Sequence, residues 1–89
     1  MPAVRSVRLF FQEGSSDKLY EADIVEDDGA YTVRVAWGRR GSKLNQGNKA
    51  VRVSLDAATR KLESLIREKR AKGYEEITAE VQPAAVAYR

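Results

Sequence analysis

The chain has 89 residues, 43% apolar and 8% aromatic, a formal charge of +3, and neither cysteine nor histidine. This length predicts one domain with a thin core, about what one sheet face covered by one helix can fill. The missing residue types exclude disulfides, thiol nucleophiles, imidazole acid–base catalysis and histidine-based metal sites.

Val4 to Gln12 alternates apolar and polar residues and predicts a first strand, with Phe10 breaking strict alternation. Gly14-Ser15-Ser16-Asp17 predicts a turn. Lys18 to Glu26 is the second strand, with Tyr20, Ala22 and Ile24 on one face and Leu19, Glu21, Asp23 and Val25 on the other. Asp27-Asp28-Gly29 signals a hairpin. Ala30 to Trp37 then gives the clearest alternation, with Tyr31, Val33, Val35 and Trp37 in phase; Gly38 is expected to let the chain depart sharply.

An eleven-residue polar loop is expected over Gly38 to Asn48, followed by a fourth strand over Lys49 to Ser54 with Val51 and Val53 in phase and Arg52 facing away. A helix follows, capped by Ser54 or Asp56. Its stripe of Ala58, Leu62, Leu65, Ile66 and Lys69 faces the sheet, and Gly73 ends it. A short fifth strand is expected over Glu75 to Gln82, through Ile77, Ala79 and Val81 in alternation, and Pro83 stops it. The expected class is α+β: a small antiparallel sheet of four to five strands with one long helix across it, a single domain over 1–82 and a tail over 83–89. No apolar run approaches the ~20 residues of a membrane span, there is no signal-peptide pattern, and the absence of cysteine fits a reducing compartment, so a cytoplasmic protein without a membrane partner is expected.

Charge is distributed unevenly. Residues 1–28 hold three basic and seven acidic residues, 29–55 hold six and none, and 56–89 hold seven and six. The acid-free middle contains Arg34, Arg39, Arg40, Lys43, Lys49 and Arg52, and in it stands the only tryptophan, within Trp37-Gly38-Arg39-Arg40-Gly41. A large aromatic face, small neighbours and local positive charge suit a base or sugar beside a phosphate. Each residue also has a plainer reading. Trp37 is either a stacking platform or a core anchor, and Arg39 binds phosphate or braces a carboxylate. Arg40, Lys43 and Lys49 are solvated charges that contact phosphate when nucleic acid is present. The cations at 67–72 complement the carbonyl end of the helix.

Taken in order, Gly14-Ser15-Ser16-Asp17-Lys18-Leu19-Tyr20-Glu21, the hairpin, Trp37-Gly38-Arg39-x-Gly41 and the helix ending in Lys72-Gly73-Tyr74 resemble the WGR domain family over roughly residues 6–76. The chain looks like the family's short, stand-alone bacterial type. The resemblance implies an antiparallel sheet with a crossing helix, and no cofactor is expected. It also implies the break-recognition role of this domain in DNA-dependent poly(ADP-ribose) polymerases, where the tryptophan packs against a terminal nucleotide and neighbouring groups hold phosphate. By this resemblance Lys18, Trp37, Gly38 and Arg39 are candidate nucleic-acid contacts, with Arg40, Lys43, Lys49 and Arg52 around them. Asp17 stands where the family often has Asn, and the Gln46-Gly47 order is the reverse of the family's Gly-Gln. The resemblance covers only a binding domain, so no ADP-ribosyl transfer is implied.

The expectation is a non-enzymatic, sequence-independent binder of DNA ends or nicks, serving DNA repair by positioning a DNA-processing enzyme. The alternative is a protein-interaction adaptor that docks such a partner through the Trp37-Arg39 corner. No nucleophile–base pair or metal-ligand set emerges from the sequence.

Overall fold

A computed structural model describes residues 3–78. In chain order it contains β1 (Ala3–Glu13), β2 (Ser16–Asp27), β3 (Ala30–Arg39), β4 (Asn45–Val53), α1 (Leu55–Ala71) and β5 (Glu75–Glu76). The strands form one antiparallel sheet in the order β4-β3-β2-β1-β5. The α+β class read from the sequence is the class found.

The first three strands follow from local sequence. β1 and β2 are joined by a two-residue turn, Gly14-Ser15, and β2 and β3 by Asp28-Gly29. In the second turn both central residues are left-handed, with φ of 55° and 80°, as a type I′ hairpin requires. Alternation then puts Val7 and Leu9, Tyr20, Ala22 and Ile24, and Val33 and Val35 on one side of the sheet. There they form a core with Ala58, Leu62 and Leu65 of α1. Burying Leu9, Ile24, Val33 and Leu62, each at most 1% exposed, stabilises the fold by about 1.5–3 kcal/mol per side chain.

Both helix ends are fixed by local residues. The Ser54 side chain accepts a hydrogen bond from the Ala57 amide at 3.1 Å, which makes Ser54 the cap. At the other end Gly73 N–H donates to the Arg70 carbonyl and Tyr74 N–H to the Lys69 carbonyl, the paired bonds of a Schellman turn. Gly73 has φ of 104°, and a Cβ there would come within 2.9 Å of Phe11 Cε1, so conformation and space both require glycine.

The chain after Trp37 departs from the sequence-based expectation. Gly38 does not end the strand: it pairs with Leu19, and β3 continues to Arg39. Its φ of 151° and the Leu44 side chain, 3.3 Å from a Cβ built at this position, suit glycine inside a strand. The expected eleven-residue loop shrinks to residues 40–44, because Asn45 to Asn48 pair with Trp37 to Arg34. Along β4 the partner register breaks twice, between Tyr31 and Val33 and between Val33 and Arg34, each time with an extra residue on β4. The breaks take Val51 out of the expected phase and leave Val53 on the core side, as expected. Ala50 packs on the core, while Val51 is 59% exposed and Arg52 takes a left-handed φ of 54°. The fifth strand is described over two residues that pair with Leu9 and Phe10, and Ile77 N–H donates to the Arg8 carbonyl. Ala79, Val81 and the expected tail over 83–89 lie outside the described residues.

Candidate nucleic-acid interface

Two cross-strand rows build the site where β2 and β3 meet the C-terminal end of α1. In the first, Leu9, Tyr20, Trp37 and Asn45 stand opposite one another; in the second, Phe11, Lys18 and Arg39 do. Trp37 continues the core-facing phase of Val33 and Val35 but is 39% exposed. Gly47 shapes its seat, since a Cβ there would lie 3.5 Å from the indole six-membered ring. The indole therefore rests along a strip of β4 that has no side chain at that point.

A cleft of about 410 Å³ opens beside Trp37, with Lys18, Tyr20, Arg39, Lys69 and Tyr74 on its walls. The aromatic rings interlock. Tyr74 lies 5.6 Å from Phe11 and 6.5 Å from Tyr20, nearly edge-on to the latter. Lys69 Nζ sits 4.6 Å from the Tyr20 ring centre and 5.8 Å from that of Tyr74, and Lys18 Nζ lies 6.0 Å from the Phe11 ring centre. Burial, with Glu68 and Tyr74 nearby, holds the Tyr20 hydroxyl above its ordinary pKa, and burial does the same to Tyr74. Lys69 is lowered, first by burial and then by the neighbouring positive charge of Lys72, with Lys49 and Lys18 adding to this and Glu68 opposing it.

The acid-free middle of the sequence is not acid-free in space. Arg40 makes a two-pronged pair with Asp17, Nε to Oδ1 at 2.9 Å and an NH2 group to Oδ2 at 3.0 Å, with side chains only 14% and 17% exposed. The Arg40 amide also donates to the Asp17 carbonyl oxygen at 2.9 Å. Arg52, at the far end of the sheet, faces Asp27 across 3.3 Å. The acidic β2 thus meets two of these cations, because hairpin pairing folds one segment against the other.

Of the eight residues singled out from the sequence, Lys18, Trp37, Gly38 and Arg39 line the cleft together. Arg40 and Arg52 are held by carboxylates, and Lys43 stands exposed in the 40–44 loop. Lys49, on β4, lies close enough to influence the charge of Lys69. Sequence reasoning placed Lys69 in the helical stripe, Tyr20 on a strand face and Tyr74 just past the helix, without giving any of them to the site. A lysine in phase with Leu62 and Leu65 was the available signal, since that phase aims it at the sheet.

Fold and cleft define a small binding domain with an aromatic floor and cationic walls. The WGR domain family model matches residues 6–81, and the chain belongs to the WGR domain family, a binding rather than a catalytic domain and of nucleic-acid-binding type in poly(ADP-ribose) polymerases. No curated protein and no solved structure gives a significant match. Among the described residues no cluster of acidic groups is arranged to hold a metal ion, and no helix is long and apolar enough to cross a membrane.

Proposed function

We propose that the protein binds DNA ends or nicks without reading sequence, placing a terminal nucleotide on Trp37 with its phosphate near Lys18 and Arg39. The observation that carries this reading is the half-open indole set beside two cations opposed across β2 and β3 in one cleft. A terminal nucleotide offers what an internal one does not, a sugar and base face open for stacking, worth about 1–3 kcal/mol per base. Lys43 and Lys49 add long-range attraction to the backbone. Arg40 and Arg52, already engaged by carboxylates, contribute less. In this role the protein delivers or positions a DNA-processing enzyme.

Trp37 is the sole indole, so its fluorescence reports the proposed contact directly. Titration with nicked, 5′-phosphorylated and closed duplex at two salt concentrations should show tighter binding to broken DNA. The expected slope of log K against log salt is roughly −2 to −4, for a few phosphates. Trp37→Ala should weaken end binding while leaving the fold intact. Equal affinity for broken and closed duplex, or binding indifferent to salt, removes this reading in favour of docking to a protein.

A further inference from the structure

The last turn of α1 brings an amine into the cleft that end binding by Trp37, Lys18 and Arg39 does not use. Lys69 Nζ is fixed against two ring faces, Tyr20 at 4.6 Å and Tyr74 at 5.8 Å, on the wall of the space beside Trp37. Among the described residues no carboxylate lies within ion-pair distance of it, and the adjacent Glu68 reaches Lys72 instead, at 3.8 Å. An exposed lysine normally keeps its ammonium fully hydrated. This one is half-buried, and Lys72, Lys49 and Lys18 crowd it with like charge that Glu68 offsets only in part. Both circumstances enlarge the neutral fraction, and a neutral amine in a partly desolvated cleft is a nucleophile toward carbonyl carbon.

Nucleic acid offers such a carbon when a deoxyribose has lost its base, because the opened sugar carries an aldehyde at C1. A terminal sugar without a base also leaves room in the cleft that a stacked base would fill. We propose that the cleft accepts abasic sugar termini and that Lys69 Nζ condenses with their C1 aldehyde to form an imine. The nitrogen adds to C1, both its protons are lost in the condensation, and the carbonyl oxygen leaves as water. No oxidant or reductant is required. This inference rests on the end-binding reading above.

The test uses the full chain and a nicked duplex carrying a 5′-terminal abasic sugar phosphate, with cyanoborohydride added to reduce any imine to a stable secondary amine. The expected result is a covalent adduct that maps to Lys69 by peptide mass spectrometry. Its yield should fall about tenfold or more in Lys69→Arg, which keeps the charge but not the nucleophile. Lys61→Arg, on the exposed side of the helix, should leave the yield unchanged. An adduct spread over several lysines, or one undiminished in Lys69→Arg, overturns the proposal. Trp37 fluorescence on the same DNA separates the two readings: binding without an adduct overturns this one alone, and absence of both overturns end binding as well.

Discussion

Lys18 and Arg39 stand directly opposite each other on neighbouring strands, on the helix-bearing side of the sheet, and line the same cleft. Two like charges in this relation repel by about 0.2–1 kcal/mol. Lys18→Gln is therefore expected to stabilise the unliganded protein by a few tenths of a kcal/mol at low salt, with the gain fading as salt rises. The same variant should bind nicked DNA less tightly, with a salt slope shallower by about 1. Urea denaturation and fluorescence titration check the two halves; a variant that loses stability and keeps the slope would remove Lys18 from the site.

The outer side of the same strand ends is neutralised by Asp17 and Arg40. Because both side chains are largely covered and the contact is two-pronged, Asp17→Ala should cost about 1.5–3 kcal/mol, more than an exposed ion pair is worth. A double-mutant cycle with Arg40→Ala should give a coupling of about 1 kcal/mol or more. Coupling near zero would place the pair among ordinary surface contacts.

Gly73→Ala should destabilise by about 1–3 kcal/mol, since the new methyl meets the Phe11 ring in a backbone conformation that L residues avoid. It should also weaken DNA binding, because Gly73 leads into Tyr74, a wall of the cleft. Unchanged thermal stability would contradict the Schellman geometry.

Tyr20 and Tyr74 predict alkaline behaviour. Their folded-state pKa values lie above the ordinary 10.0, so the fold favours the neutral phenols. That contribution is whole below pH 10.0 and is lost as pH climbs from there through the folded values. Among the described residues Tyr20 Oη is buried without a hydrogen-bond partner, a condition that costs about 1–3 kcal/mol. Tyr20→Phe should therefore be neutral or stabilising at pH 7 and should shrink the alkaline loss. A clear destabilisation at neutral pH would show that the hydroxyl does have a partner in solution.

Much of this was legible from local chemistry. Alternation set the faces of β1 to β3, Asp28-Gly29 set a hairpin, and Ser54 and Gly73 set the ends of α1, each through signals a few residues long. β4 was not legible in the same way. Asn45, Gln46, Gly47 and Asn48 have poor strand propensity, and they are extended because β3 supplies partners and Trp37 needs Gly47 beside it. Extra residues at a bulge leave no periodic trace, so the sequence favoured Val51 over Ala50 for the interior. Within the site, Trp37, Lys18 and Arg39 stood out by type, but the Asp17–Arg40 contact spans 23 positions and follows only from strand pairing. Lys69 was visible as a cation in an apolar stripe; that the stripe outruns the core and ends at a cleft was not.

The twice-broken register of β4 has a bearing on how the molecule keeps company with copies of itself. The outer rim of a sheet offers hydrogen bonds to any extended chain that can match its spacing, and on this rim the apolar Val51 points to water. Two interruptions within nine residues, one of them marked by the left-handed Arg52, spoil that spacing and deny a second polypeptide a continuous ladder. A domain this small can thus leave a strand at its margin without becoming a seed for fibrous stacking.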